Sequence, residues 1–307
     1  MGSSIMKKQV STHTCSHIRD IVRDFDNHLK QKIESEDGKI NLRTGFEDID
    51  RFTSGILPSD FILIAAPEYH GKIQFVISIL LNLFKQKHDD AALIFSPDTS
   101  KHLLIQWMVC AQCEVDPSKI RNNELTEDEI SALRTSMEKI SKFQLYINDS
   151  VLLTNHDIES ICQGFENDYD KNLSLIIVNR FHLIDGTSKI QSEQDVHSEV
   201  SLTLKRMADE LKVPVITTVD IDTNDRRNED KEDYRPMVQD LRQYGSLAND
   251  ASTVFFIYRD EVYKSDSPNK NIAEIIIAKN NRGSTGIVRV GFEGRYHRFN
   301  ELRELFE

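Results

Sequence analysis

From Asp60 onward, short apolar runs alternate with stretches in which apolar side chains recur at helical spacing. Each run is short and rich in β-branched or aromatic residues, which is typical of buried parallel strands joined by crossover helices. The six runs are Phe61–Ala66, Ala91–Ser96, Phe143–Ile147, Leu173–Val178, Val213–Val219 and Thr253–Tyr258. The pattern therefore predicts an α/β fold with a mostly parallel central sheet.

Two further strand-like stretches, Ile272–Lys279 and Gly286–Phe292, lie close together near the C-terminus. Their short connection predicts an antiparallel hairpin appended to the sheet. Thr126 and Glu129 have the spacing of a capping box, which predicts a helix that runs to about Lys142. One α/β domain over residues 39–307 accounts for all of these elements.

The segment before this domain is polar at first and then amphipathic. We expect residues 1–13 to be mobile, whereas residues 14–38 carry a single apolar stripe at helical spacing and predict a linker helix. The stripe consists of Ile18, Ile21, Val22, Phe25, Leu29 and Ile33. A single helix cannot bury its own stripe, so we expect it to dock on the main domain, on a neighbouring subunit or on another protein.

Composition excludes several classes of protein. Only 12 glycines and 7 prolines occur in 307 residues, and no repeat is present, so the chain is neither collagen-like nor a solenoid. The formal net charge of −12 excludes a general attraction to nucleic-acid backbones. No apolar stretch is long enough to cross a bilayer, and four cysteines suit a reducing compartment. We predict a cytoplasmic protein without membrane contact.

A partial phosphate-binding loop follows the first predicted strand. The run from Ala66 to Ile73 has the order that a Walker A loop requires, with a strand, a tight turn and then a helix. Gly71 and Lys72 are in place, but Ile73 stands where a hydroxyl should bind Mg²⁺, and Glu68 adds a negative charge. A Gly-Lys pair after a strand is more often an ordinary turn. Other residues must therefore show whether this loop binds phosphate.

Several other segments resemble, in order and spacing, the C-terminal ATPase domain of the DnaB-type hexameric replicative helicases. They are Thr44–Asp50, Thr53–Gly55, Arg235–Met237, Asp240–Arg242, Gly245-Ser246, Tyr258–Glu261 and Ile272–Lys279. The resemblance covers about residues 15–300. It implies a RecA-like P-loop fold, a ring of subunits, and a linker helix that packs on the adjacent subunit.

The resemblance also implies where the working residues should lie, and most of them differ here. Ile73 replaces the hydroxyl that ligates Mg²⁺, and Asn179 replaces the Walker B aspartate. Asp98 stands at the place of the catalytic glutamate but is one methylene shorter. His182 and Asp220 each replace a glutamine of the family. We therefore expect Mg²⁺ not to be held tightly and ATP or ADP to be held weakly.

The C-terminal hairpin of the family carries a Lys-x-Arg that reaches the γ-phosphate of a neighbouring subunit. Here Lys279 is retained, the arginine position is Asn281, and Arg282 is displaced by one, which on a strand points to the opposite face. Asp98 is the candidate catalytic acid. The candidate nucleotide-binding residues implied by the resemblance are Ala66, His70, Gly71, Lys72, Ile73, Asn179, His182, Lys279 and Arg282.

The loops that hold single-stranded DNA in the family have few basic residues here. The first candidate loop has one lysine, and the second mixes three basic residues with six acidic ones, so we expect weak DNA binding at most. The candidate contacts are Lys189, Arg226, Arg227 and Lys231. Cys110 and Cys113 predict a buried helix face rather than half of a zinc site, and no metal site is predicted.

These observations favour a DnaB-like protein of DNA replication with impaired or absent ATP hydrolysis. Such a protein would act by binding a replicative helicase or another replication protein, as an accessory subunit, a loader or an inhibitor, and it could form a homo-oligomeric ring. Two alternatives stay open. One is an active ATP-dependent 5′-to-3′ helicase in which Asp98 and other acids replace the lost ligands. The other is a ring-forming or DNA-binding module that uses no nucleotide.

Overall fold

The computed structural model describes residues 17–19, 22–23, 26, 41–86, 90–187, 192–222 and 233–302. Contacts divide the chain into two units, Met1–Ile40 and Asn41–Glu307. In the first unit Ile18 and Val22 are helical and exposed. The other residues of the predicted apolar stripe, Ile21, Phe25, Leu29 and Ile33, lie outside the described residues. The linker helix as a whole therefore stays a prediction.

Within the described part of the second unit, nine strands form one sheet in the order β3-β2-β4-β5-β1-β6-β7-β8-β9. Strands β1 to β6 pair in parallel, and β7 to β9 are antiparallel. The strands are β1 Phe61–Ala66, β2 Ala91–Phe95, β3 Leu145–Asn148, β4 Leu173–Val178, β5 Val215–Asp220, β6 Thr253–Tyr258, β7 Ile272–Asn280, β8 Gly286–Glu293 and β9 Arg298–Asn300. The predicted fold class is confirmed.

Two strand boundaries differ from the prediction for local reasons. Strand β3 begins at Leu145 because Phe143 closes the preceding turn and stacks on Phe84, with ring centroids 4.2 Å apart. Strand β5 begins at Val215, since Pro214 has no N–H to donate to a neighbouring strand. Strand β9 was not predicted because three residues are too few to show a periodicity.

The helices connect the parallel strands on both faces of the sheet. Helix α5 begins with the predicted capping box, in which Thr126 Oγ1 accepts from the Glu129 amide and the Glu129 carboxylate accepts from the Thr126 amide. It ends at Ile140, two residues before the predicted end. The helices of the second unit are α1 Glu47–Thr53, α2 Lys72–Lys85, α3 Lys101–Cys113, α4 Pro117–Asn122, α5 Glu127–Ile140, α6 Asn155–Tyr169, α7 Glu193–Leu211 and α8 Leu247–Asp250.

Strand β1 is buried on both faces and separates two apolar layers. Ile62 and Ile64 pack in the layer that includes side chains of α2, α3 and α5. Phe61 and Leu63 pack in the layer that includes side chains of α6 and α7. Because both faces of the parallel strands are covered, polar side chains can meet only where the strands end. A polar site can therefore form at the carboxyl ends of the parallel strands, among them β1, β2, β4, β5 and β6.

The sequence also led to predictions about the two cysteines of helix α3, about metal sites and about membrane spans. Cys110 is buried and Cys113 is half-buried on α3, and burial raises the pKa of the Cys110 thiol to about 12. Among the described residues, no group of three or more His, Cys, Asp or Glu side chains could hold a metal ion. Likewise, no helix in that part of the chain is long and apolar enough to span a membrane.

We expect Asp50→Ala to lower the free energy of unfolding by about 1–3 kcal/mol, because buried donors lose their acceptor. Asp50 Oδ1 accepts from the Thr44 amide and hydroxyl, each at 2.9 Å, and Oδ2 accepts from the Gly45 amide at 3.3 Å. Chemical denaturation measures the change. The matched control is Asp48→Ala on the same helix, which removes an exposed ion pair to Arg51. Equal effects of the two substitutions would contradict this account.

Candidate functional site

The loop after β1 has the backbone of a phosphate-binding turn. Gly71 lies in the left-handed region with φ of 92°, and helix α2 begins at the next residue, Lys72. A Cβ at Gly71 would lie 3.0 Å from the Phe299 ring of strand β9, so this position requires glycine both for its backbone conformation and for space. The amides at the start of α2 consequently face the region beyond the carboxyl end of β1.

A cavity of about 610 Å³ opens beside this loop. Its polar lining includes charged and amide side chains from the carboxyl ends of five strands, and its aromatic lining comes from the loop after β1, from α3 and from the C-terminal segment. The polar residues that matter most are Lys72, Asp98, Asn179, Arg180 and Asp220, and the aromatic ones are Trp107, Phe292 and His297. The dimensions and the mixed lining are those of a small-molecule site.

The ammonium group of Lys72 is held by groups of its own chain. Lys72 Nζ donates to the carbonyl oxygens of Ala66 at 3.0 Å and Pro67 at 2.9 Å, and it forms an ion pair with the Asp220 carboxylate. Burial lowers the pKa of Lys72, and Asp220 opposes that effect. A phosphate that bound here would have to compete with Asp220 for this lysine.

Arg180 crosses the polar end of the cavity. It follows β4 with φ of 55°, and its amide donates to Thr218 Oγ1 at 2.9 Å. Its Nε lies 2.6 Å from Asp98 Oδ2, and its Nη1 lies 3.2 Å from Asp220 Oδ2. The guanidinium thus connects the carboxylates that follow β2 and end β5.

Asn179 is buried and uses its whole amide group in hydrogen bonds. Its Nδ2 donates to Asp98 Oδ1 at 3.0 Å and to Ser96 Oγ at 3.2 Å. Its Oδ1 accepts from Thr218 Oγ1 at 2.8 Å. The buried Asn179 therefore has its polar atoms paired and fixes the side chain of Asp98 at the edge of the cavity.

These side chains do not fit a Mg²⁺ ion. Magnesium requires near-octahedral coordination by oxygen atoms. Ile73 offers no ligand atom, and the amide oxygen of Asn179 already accepts a hydrogen bond. The carboxylates of Asp98 and Asp220 both face the positive charge of Arg180. The donor set of this cavity is therefore unsuited to the metal that usually accompanies ATP.

The structure brings only some of the predicted nucleotide-binding residues to the cavity. Gly71, Lys72, Ile73 and Asn179 line it, together with Asp98. Ala66 lies beneath the loop and contributes its carbonyl oxygen to Lys72.

The two predicted histidines lie beside the cavity rather than in it. The His70 ring is buried behind the loop, near Tyr258 and Tyr263, and its Nδ1 lies 3.0 Å from the Glu68 carbonyl oxygen. His182 Nε2 lies 3.8 Å from Asp220 Oδ2, and burial lowers the pKa of His182. His70 thus contacts the backbone of the loop, and His182 lies next to the Asp220 carboxylate.

Lys279 and Arg282 lie at the opposite end of the strands from the cavity. Lys279 Nζ donates to the carbonyl oxygens of Ala248 at 3.1 Å and Asn249 at 2.8 Å. Arg282 lies in the turn after β7, not on a strand as predicted, because β7 ends at Asn280. Its Nη1 is 3.2 Å from Asp60 Oδ1, just before β1. The predicted DNA contacts Lys189, Arg226, Arg227 and Lys231 lie outside the described residues.

Sequence reasoning missed Arg180 and Arg259. The Arg259 guanidinium lies 3.8 Å from the centroid of the Phe292 ring, pairs with Glu261 and donates to the Tyr69 carbonyl oxygen at 3.0 Å. Arg259 directly follows β6, and Arg180 is the second residue after β4. Since the carboxyl ends of parallel strands meet at one edge of the sheet, position alone could have indicated them.

A mostly parallel sheet with a Gly-Lys loop at the carboxyl end of its central strand defines a RecA-like P-loop domain. The DnaB-like helicase C terminal domain family matches residues 41–301, and the chain belongs to this family. The replicative DNA helicase DnaB of Geobacillus stearothermophilus is 36% identical over 295 residues, which cover 95% of this chain and 63% of that protein. The replicative DNA helicase DnaC of Bacillus subtilis is 34% identical and is covered over 64% of its length.

Two solved structures are similar over nearly the whole chain. One is described as an ATPase domain and superposes with a TM-score of 0.83 at 29% identity, covering 92% of this chain and 98% of that one. The other, a DnaB-like replicative helicase described with its interactions with primase, gives 0.80 at 29% identity and covers 94% of this chain and 67% of that one. The chain thus spans about two thirds of the length of these replicative helicases and nearly all of the separate ATPase domain.

We expect acid to destabilise the fold through His70. Burial lowers the pKa of His70 to about 4, so the folded state keeps the ring neutral while the unfolded chain takes up a proton near pH 6.5. The free energy of unfolding should fall as pH drops through this window, by at most about 1.4 kcal/mol per pH unit from this residue.

Chemical denaturation between pH 7 and pH 5 measures this slope. His70→Gln should make it shallower. His156→Gln, at an exposed position, is the matched control. A slope that His70→Gln does not alter would contradict the assignment.

Proposed function

We propose that this chain is a DnaB-family domain that does not perform efficient Mg²⁺-dependent ATP hydrolysis and acts in DNA replication by binding. The observation that carries the proposal is the position of Asp220, which pairs with both Lys72 and Arg180. Hydrolysis of a nucleoside triphosphate by a P-loop domain requires a lysine on the phosphates and a metal beside them. Here the lysine has another partner, and the metal lacks ligands.

The shape of an ATPase domain persists although its chemistry differs, which supports a binding role. The chain superposes on the solved ATPase domain with a TM-score of 0.83. Surfaces that form contacts between subunits depend on the shape of the domain, whereas turnover depends on the few side chains that differ. We propose that the partner is a replicative helicase or another replication protein and that the chain acts as an accessory subunit, a loader or an inhibitor.

A ring of copies of this chain, or a mixed ring, is part of the same proposal. The relatives are named replicative DNA helicases, and one similar structure is described with its interactions with primase. The exposed Ile18 and Val22 offer apolar surface before the domain, where the resemblance implies a docking helix. With a formal net charge of −12, single-stranded DNA should bind weakly at most.

An active ATP-dependent 5′-to-3′ helicase is the second candidate function. It is favoured by the names of the relatives at 34–36% identity, all of which are replicative DNA helicases. It would require Asp98 and Asp220 to leave Arg180 and Lys72 and to ligate a metal. Asp98 would then take the role of the catalytic acid.

The two candidates differ in ATP turnover. We expect hydrolysis in the presence of Mg²⁺ to be at least about a thousandfold slower than that of a DnaB-type helicase assayed alongside, with or without single-stranded DNA. Release of phosphate measures the rate. Lys72→Ala should leave this background unchanged, because Lys72 does not support hydrolysis when no metal stands beside the phosphates. Hydrolysis that DNA stimulates and that Lys72→Ala abolishes would establish the helicase instead.

The proposed docking helix can be tested with a purified DnaB-type helicase as the probe. We expect removal of residues 14–36 to weaken binding at least tenfold, which corresponds to about 1.4 kcal/mol of lost apolar contact. Ile18→Ser with Val22→Ser should reproduce most of the loss, and Arg19→Ser on the same segment is the matched control. Light scattering or sedimentation reports the complex. Binding that survives the deletion unchanged would reject this role for the helix.

A further inference from the structure

The cavity beside Gly71 combines a phosphate-binding loop with arginine and lysine side chains, but its described lining has no set of ligands for a divalent metal. We propose that it binds the phosphate chain of a nucleotide without Mg²⁺. Arg180 supplies the positive charge that a metal supplies elsewhere, and Asp220 competes with the phosphates for Lys72 and Arg180. This inference rests on the proposed function, since it concerns the same site.

Arg180 has the position and the chemistry for this role. Its side chain is 38% exposed and lines the cavity, while its backbone is anchored by the hydrogen bond to Thr218. An arginine stays protonated, and its planar fork of N–H donors matches phosphate oxygens. The contacts to Asp98 and Asp220 use Nε and Nη1. The two N–H groups of Nη2 belong to the same rigid, planar guanidinium, so these contacts also fix their direction.

The phosphate-binding loop supplies the second half of the site. Helix α2 is 14 residues long and begins at the cavity, so its first amides and its dipole favour an anion there. Lys72 and Arg259 add positive charge to the same lining. Glu68 also lines the cavity and opposes an anion.

These three cations of the cavity already have acidic partners in the chain. Lys72 pairs with Asp220, Arg180 pairs with Asp98 and Asp220, and Arg259 pairs with Glu261. An incoming phosphate must displace Asp220 before it reaches Lys72. The affinity should therefore be modest, and loss of the Asp220 charge should raise it.

The nucleotide bound to Mg²⁺ should be the poorer ligand. The metal neutralises part of the phosphate charge and keeps several waters, and it would face the guanidinium of Arg180. In an ordinary P-loop domain the metal instead joins the phosphates to the protein. The direction of the metal effect therefore distinguishes this cavity from the ordinary site.

Isothermal titration calorimetry of the whole chain tests the proposal, with ATP as the ligand in excess EDTA and, in parallel, in excess Mg²⁺. We expect binding in EDTA to be tighter than in Mg²⁺. Arg180→Gln should weaken it about tenfold or more, because a charged hydrogen-bond partner is lost. Asp220→Asn should tighten it about tenfold. The matched control is Arg206→Gln. It breaks an ion pair between Arg206 on α7 and Glu159 on α6, neither of which lines the cavity, and it should leave the affinity unchanged.

The outcomes are distinct. Binding that requires Mg²⁺, an affinity that Arg180→Gln leaves unchanged, or no gain in Asp220→Asn would each overturn the proposal. If Arg180→Gln does not fold, as thermal unfolding would show, Asp220→Asn and the metal comparison decide. Binding of inorganic tripolyphosphate as tight as that of ATP would assign the site to free polyphosphate rather than to a nucleotide. Absence of all binding overturns this inference but leaves the proposed function, which only fast turnover of ATP would overturn.

Discussion

The contact of one carboxylate with two cations organises the centre of this molecule. Asp220 ends β5 and reaches both Lys72 at the start of α2 and Arg180 after β4. The Tyr244 hydroxyl donates to the carbonyl oxygen of the same aspartate, which fixes the end of the strand. In a partly buried position such charges interact strongly, and loss of the Asp220 carboxylate would remove the ion pair of Lys72. The contact holds the Lys72 ammonium and the Arg180 guanidinium beside the same carboxylate, and it is one of the reasons why the cavity does not suit Mg²⁺.

The layered fold makes this arrangement possible. Apolar side chains cover β1 on both faces, so the ends of the parallel strands are where charged groups gather. Five of these ends contribute residues to one cavity. The hydrogen bonds of Thr218 to Asn179 and Arg180 then fix the positions of two side chains that would otherwise be free to turn. A fold similar to that of an ATPase domain thus carries a set of ion pairs at the ends of its parallel strands.

Much of the fold could be predicted from the sequence, because burial of a strand shows directly in its residues. The strand Phe61–Ala66, the loop at Gly71 and the capping box at Thr126 are local features, and each is read from neighbouring residues. The replacements at Ile73 and Asn179 could also be recognised one at a time. The ion pairs could not, since they depend on the order of the strands. Lys72 and Asp220 are far apart in the chain and meet only because β1 pairs with β5.

The hairpin cations and the phosphate loop occupy the two ends of one strand. Arg282 pairs with Asp60 just before β1, and Lys72 follows the loop after β1, so the six-residue strand of about 20 Å lies between them. No single copy can bring both to one ligand. Any site that joins them needs two chains in a head-to-tail arrangement, which closes into a ring or continues as a filament. In the mixed ring that we propose, a copy that does not hydrolyse ATP would still offer its hairpin to the next chain, so activity would depend on the order of the copies around the ring.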